Sequence, residues 1–272
     1  MVLRVDGRPL FLYLNYEDLT PPYAPTGEHE ITFSPGGSEI DDRLLFTKTV
    51  AMAAGSAPVR LESGELERLV DLYDSTVRYV DEQIGRFLSE LETAGPERET
   101  VVIVTADRGT EFMEHGSLYD SDLATEETIR VPFMIGKVGE GAPGRFVAGV
   151  VRHVDILPTI AALLGSEPPK GIHGSSLAPL LSGSRERGSF VSVAEGRGCV
   201  SVNRGRWKMM HDENLDAYYL YDLSADRLGR KDVSGTYASE MGEMKALVDE
   251  YLDLRAGVPV VEGKLMTGDV TQ

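Results

Sequence analysis

Asp107-Arg108-Gly109 follows directly on a run of β-branched residues in the stretch Thr100 to Gly116, TVVIVTADRGTEFMEHG. An acid just beyond an apolar strand is a common way to place a metal ligand, because a carboxylate supplies the hard oxygen donors that calcium and magnesium take. Arg108 is an odd neighbour for such a ligand: a guanidinium has N–H donors, no acceptor and a permanent charge, so it cannot coordinate a cation. A second acid, Asp18, opens the loop after the apolar run LFLYLNY. Asp18 also suits turn initiation ahead of Pro21-Pro22, and Asp107 suits a turn before Gly109. His115 lies a little further on and is a candidate to line the same crevice, or simply to be hydrogen-bonded in its loop. In an open α/β sheet, ligands sit beyond the carboxyl ends of the strands, so the loops after Tyr16 and Thr105 are expected to face one crevice.

The elements that must carry these loops can be read from the hydrophobic pattern. Leu10 to Tyr16 is short, apolar and aromatic-rich and is expected to be a core strand; the turn-rich DLTPPYAPTG after it continues neither strand nor helix. From Leu66 onward, Leu69, Val70, Tyr73, Val77, Val80, Ile84, Phe87, Leu88 and Leu91 recur at three and four residues, which predicts a long helix stopped by Gly95-Pro96. Thr100 to Thr105 does not alternate with polar residues and reads as a strand buried on both faces. Val131 to Ile135 reads as another strand and Val147 to Val151 as a third. HVDILPTIAALL, from His153 to Leu164, predicts a helix with Pro158 in its first turns, where proline is tolerated. A helix between strands gives α/β layering. The polar stretch Ser166 to Gly188 is the expected boundary. Beyond it FVSVAEG, CVSVNRG, RWKMMH and AYYLYDL predict a small antiparallel sheet, closed by an amphipathic helix over Glu240 to Leu254. The expected organisation is a core over 1–165, a linker over 166–188, a small sheet plus helix over 189–258 and a tail over 259–272.

Composition narrows the function. Over 272 residues, a hydrophobic content of 42% is that of a globular chain. Its 44 acids against 27 bases leave a formal charge of -17, which argues against a nucleic-acid or anionic-membrane surface, since phosphate binding needs excess Lys and Arg. The bases are 20 Arg and only 7 Lys; so acidic and lysine-poor a surface fits a salt-adapted host, where screening relieves self-repulsion, or an ordinary acidic cytosolic protein. Cys199 is the single cysteine, so it forms no intrachain disulfide or thiolate cluster and is expected to be a buried small hydrophobe. MVLRVDGRPLFLYL reads as a strand and not a signal peptide. No apolar stretch approaches the ~20 residues of a membrane helix, so a cytoplasmic location is the expectation.

Taken in order, these segments resemble the sulfatase family, within the alkaline-phosphatase-like group of metal-dependent hydrolases. LFLYLNYEDLTPPYAP is similar to the family's FLxxHxxDPHxPYxP, LYDSTVRYVDEQIGRFLSEL to its YDxxIxxxDxxIGxxLxxL helix, and VVIVTADRGTEFMEHG to its VVxTSDHGexxgEHG or TSDNG segment. EETIRVPFMI, HVDILPTIAALLG, GIHGSSLAPLL, GRWKMM and LYDLSAD resemble later blocks in the same order, so the likeness runs to about Leu254. The resemblance implies an alkaline-phosphatase-like α/β fold: a mostly parallel sheet flanked by helices, plus a small C-terminal antiparallel sheet with a closing helix. It also implies hydrolysis of a sulfate ester by a formylglycine or serine nucleophile beside a calcium or magnesium ion that polarises the ester oxygens. Related phosphodiesterases and phosphonate hydrolases share the same metal cradle.

Several site positions depart from the family pattern. The family's Cys/Ser-x-Pro-x-Arg nucleophile motif and its paired aspartates precede the FLxxH strand, where this sequence starts. The chain is therefore expected to be the C-terminal portion of the domain, either a truncated product or one half of a split enzyme whose partner chain supplies the N-terminal part. Ser56-Ala57-Pro58-Val59-Arg60 is a near match, but it follows that strand, lacks the Thr-Gly that closes the signature, and reads as a loop. Thr20 stands where DPHxPY has its anion-contacting histidine, with Leu19 for the first proline; threonine brings a hydrogen bond but no charge. SLYDSDLATEET, between His115 and Arg130, holds no Lys or His to bind sulfate, and Asp120 and Asp122 would repel it. His115 matches the histidine of EHG, whereas His153 and His173 fall in blocks that are structural in the family. Asp107 keeps the family's metal-ligand acid, and Arg108 replaces the second ligand. Its guanidinium either takes the cation's place and neutralises Asp107, or points to solvent, or pairs with Glu111 or Glu114. No catalytic residue is identifiable. The functions expected are a sulfuric ester hydrolase that is incomplete in this chain, a non-catalytic binding or scaffold member, or a phosphodiesterase or phosphonate hydrolase relative.

Overall fold

The computed structural model describes residues 10–23, 33, 40–54, 60–62, 64–94, 100–119, 123–138, 144–147, 149–183 and 190–256. Contacts divide the chain into two units, one of residues 1–121 with 127–146 and the other of 122–126 with 147–272.

The first unit is built on two helices, α1 (Asp42–Ala53) and α2 (Glu65–Thr93). Asp41 caps α1 by accepting a hydrogen bond from Arg43 N at 2.9 Å, as a side-chain oxygen at a helix start satisfies an otherwise orphaned donor. The three- and four-residue spacing of α2 buries Leu69, Leu72, Thr76 and Val80 along one stripe. Thr76 is tolerated there because its hydroxyl donates to Leu72 O at 2.8 Å. Arg68 grips Asp42 with two N–H groups, at 2.8 and 2.6 Å, and so ties α2 to α1. Two short sheets complete the unit. Strands β1 (Val101–Thr105) and β4 (Phe133–Lys137) pair antiparallel from Val101↔Lys137 to Thr105↔Phe133. Between them the chain forms a hairpin of β2 (Glu111–Phe112) and β3 (Leu118–Tyr119), then a single turn of helix, α3 (Glu126–Ile129).

In the second unit, α4 (Ile156–Leu163) carries Pro158 in its first turn, as its sequence predicts. The turn before it is fixed by Asp155, fully buried, whose carboxylate accepts from Arg152 N, from the Arg152 guanidinium and from Ser175 N, each at 2.9 Å. That explains the HVD block as architecture. A short helix, α5 (Ala178–Leu181), follows. The four expected strands are present as β5 (Val191–Gly196), β6 (Cys199–Arg204), β7 (Trp207–Asp212) and β8 (Ala217–Asp222), an antiparallel meander in sequence order. A two-residue turn, Gly205-Arg206, joins β6 to β7, with Gly205 at φ 62, a conformation that favours glycine. Period-two alternation sends Val200, Val202, Met209 and Leu220 to one face. There they bury against Met244 and Val248 of α6 (Ala238–Ala256). Cys199 is fully buried beside them on β6, as expected.

Three expectations meet a different outcome. Leu10 to Tyr16 forms no strand pairing among the described residues, and Phe11 and Tyr13 are 75% and 76% exposed. An apolar pattern records a capacity for burial, and the layer that would cover this segment is not among the described residues. The described part of 147–151 is irregular and not a strand. β1 is only half-buried, with both end residues exposed. Gly95-Pro96, Ser56 to Val59, Asp120, Asp122 and the tail over 259–272 lie outside the described residues. No described helix is long and apolar enough to cross a membrane.

Candidate functional site

β1 ends at Thr105, whose hydroxyl donates to Pro132 O at 2.9 Å and holds the strand end beside the start of β4. Asp107 and Arg108 come next, and both side chains are exposed at the rim. The chain then dives under α3. Gly109 N donates to Thr128 O at 2.8 Å, and a Cβ on Gly109 would stand 1.9 Å from Glu127 O. Only glycine permits that approach, which answers why the acid and arginine are followed by glycine.

The approach brings three titratable side chains together in the first unit. In the hairpin, Met113 at φ 72 and Gly116 at φ 84 reverse the chain sharply, so that His115 folds back onto Glu111. His115 Nδ1 lies 3.0 Å from Glu111 Oε1 and 3.6 Å from Glu127 Oε2. The Glu111 side chain is fully buried, and those of Glu127 and His115 are 10% and 19% exposed. One ligand atom from each residue lies within 4.8 Å of the others, so the group could hold a divalent ion. Its donors, one imidazole nitrogen and two carboxylate oxygens, suit manganese or zinc better than calcium, which takes six to eight oxygens as a general matter. The 3.0 Å contact is also an ordinary hydrogen bond, so the imidazole and the Glu111 carboxylate hold the hairpin turn together without an ion.

The second predicted loop reaches the same unit through Tyr23. Its hydroxyl is 3.4 Å from Thr110 Oγ1, and Thr110 in turn donates to Tyr119 O at 3.1 Å. The Tyr23 ring packs edge-on against Tyr73 and Tyr119, with centroids 5.1 and 5.7 Å apart. Burial pushes the Tyr23 phenol well above the usual tyrosine range, while the nearby Arg108 charge pulls it down. Tyr23 thus couples the loop that holds Thr20 to the loop that holds Arg108. Thr20 itself is exposed, with its backbone N–H donating to Glu17 O at 2.9 Å and a cis peptide at Pro21-Pro22 just after it. Asp18 is exposed in the same turn.

Of the residues read from sequence, His115 gains defined polar partners, and Asp107, Arg108 and Thr20 stand at the surface. Glu111 and Glu127 were not legible as site residues. Their only signal is an acid four residues before a histidine and another ahead of IRVP, and what joins them is the approach at Gly109.

Comparison with known proteins places this arrangement. The family model described as Sulfatase matches residues 2–166, and that described as N-sulphoglucosamine sulphohydrolase, C-terminal, matches residues 113–255. An N-acetylglucosamine-6-O-sulfatase of Bacteroides thetaiotaomicron is 30% identical over 65% of this chain and 34% of its own length. An arylsulfatase K of Xenopus laevis is 28% identical over 72% and 35%. A solved structure in complex with its substrate D-glucosamine-2-N,6-O-disulfate aligns with a TM-score of 0.63 at 25% identity, covering 82% of this chain and 48% of that one. A crystal structure described as a putative sulfatase from Bacteroides thetaiotaomicron gives a TM-score of 0.63 at 20% identity and covers 94% and 55%. The phosphonate monoester hydrolase of Agrobacterium radiobacter gives 0.56 at 25% identity, covering 72% and 42%. The chain spans about a third of the length of these curated relatives and about half of the solved structures. It has the alkaline-phosphatase-like fold of those structures, and with a family model matched over more than half of its residues, the site loops included, the chain belongs to the sulfatase family.

Proposed function

We propose that this chain is the C-terminal portion of a sulfatase-type unit that acts on a sulfate ester, and that the chain alone is catalytically incomplete. The observation that carries this reading is Asp107-Arg108 at the exposed end of β1, inside the Sulfatase match. The family's hard cation does not fit there. One carboxylate beside a guanidinium offers calcium or magnesium too few oxygens, and the permanent arginine charge repels the ion. What these residues can do is bind: an exposed guanidinium presents a planar fork of donors that matches sulfate oxygens, and Thr20 adds a hydroxyl donor. In this reading Arg108 neutralises Asp107 and faces an anionic ester, while bond cleavage requires groups that the described residues do not bring together.

The same replacement supports a second reading, a non-catalytic family member that binds sulfated ligands. The phosphonate monoester hydrolase similarity keeps phosphate and phosphonate esters as alternative substrates. A calorimetric titration of the purified chain with calcium and then magnesium is expected to show no saturable site involving Asp107. A tight site that disappears in Asp107→Ala would overturn the incompleteness argument.

A further inference from the structure

The carboxylates of Glu111 and Glu127 converge on one imidazole, that of His115, inside the first unit. Neither oxygen of Glu127 nor Oε2 of Glu111 reaches solvent. A buried carboxylate is costly unless it is paired or coordinates a metal. His115 Nδ1 is a single atom facing both acids. Carrying a proton, it donates along the 3.0 Å contact to Glu111 Oε1, while Glu127 Oε2 at 3.6 Å lies beyond hydrogen-bond length. One imidazole proton therefore serves one of these carboxylates, whereas a divalent cation between them serves both and offsets both charges.

The spacing suits such an ion. Zinc bonds of about 2.0–2.1 Å to nitrogen and oxygen put the corners of a tetrahedron roughly 3.4 Å apart. The two separations from Nδ1, 3.0 and 3.6 Å, fall on either side of that edge. One ligand atom from each residue lies within 4.8 Å of the others, so the third edge closes with a modest side-chain adjustment. Glu114, the neighbouring acid, is engaged elsewhere, accepting from Phe112 N. We propose that Glu111, His115 and Glu127 form a zinc site, in which His115 Nδ1 and one oxygen of each carboxylate are ligands and water is the fourth. The ion would tie the β2–β3 hairpin to the segment that starts at Glu127. An imidazole and few ligands favour zinc over calcium, and zinc binds nitrogen and oxygen donors more tightly than manganese. The site does not use Asp107, and the inference stands whether or not the chain hydrolyses an ester.

The test is a zinc titration of the full chain, stripped of metal by a chelator, against a competing chromophoric indicator, with Tm measured with and without the metal. A single saturable site and a rise in Tm are expected, because an ion that binds only the folded chain stabilises it. His115→Gln keeps an amide donor for Glu111 but removes the imidazole. It should lower zinc affinity about 100-fold or more, since loss of even an outer-shell partner costs about 10–100-fold, and it should abolish the rise in Tm. Glu127→Gln, nearly isosteric, should do the same and serves as the measurement if His115→Gln does not fold. His173→Gln, at an exposed histidine, and Asp107→Ala should leave both readouts unchanged. No saturable site, or zinc affinity unchanged in the ligand variants, overturns the proposal. So does an equal loss in His173→Gln, which would assign the zinc to surface histidine, or calcium competing with zinc at equal concentration, which would mark a site of carboxylates alone.

Discussion

Gly109→Ala is expected to destabilise the first unit by about 3 kcal/mol, from overpacking plus a lost backbone hydrogen bond. The added methyl would start 1.9 Å from Glu127 O, a contact with backbone that no rotamer relieves, so the loop after β1 must lift from α3. Lifting it stretches the Gly109 N to Thr128 O bond of 2.8 Å and separates Glu127 from His115. Urea unfolding followed by circular dichroism measures the loss. The His115 ring signals in an NMR spectrum should shift in the same variant, because their nearest partners move. A cost under about 1 kcal/mol would mean that the loop and α3 do not meet this closely.

Lys208→Met should cost the second unit about 3–5 kcal/mol, the penalty for leaving a carboxylate buried without its cation. Lys208 and Glu126 are 3% and 6% exposed, and their charged atoms lie 3.0 Å apart. Asn203 adds a weaker donor to Glu126 at 3.4 Å. The sheet explains how a lysine comes to be buried. β7 alternates, so Met209 faces α6 and Lys208 faces the other side, toward Glu126 of the same unit. The diagnostic comparison is the double variant Lys208→Met with Glu126→Gln. With the charge removed from both positions, the double variant should be less destabilised than Lys208→Met alone, with a coupling of at least about 1 kcal/mol. Additive losses in urea unfolding would show that the two charges do not act as a pair.

Much of the scaffold was legible because it depends on local pattern. The stripe of α2, the strand β1, the proline in the first turn of α4 and the four strands closed by α6 all follow from spacing, turn residues and residue type. What sequence patterning misjudged was coverage. Leu10 to Tyr16 has the composition of a core strand, yet burial needs a second layer, which a local pattern does not supply. The rim residues Asp107, Arg108 and Thr20 were legible through the family resemblance. The Glu111, His115 and Glu127 cluster was not, because two left-handed residues and one glycine contact create it, and these act through space.

Arg108 is where the fold and the chemistry part. β1 still delivers an acid to the rim of the sheet, but the residue after it is a fixed cation that cannot be a ligand. Steady-state turnover by the purified 272-residue chain tests this most directly, with an aryl sulfate, a phosphate diester and a phosphonate ester as substrates and calcium or manganese added. No hydrolysis above the buffer blank is expected for any of the three. Turnover of the aryl sulfate by this chain alone, lost in Asp107→Ala, would contradict it.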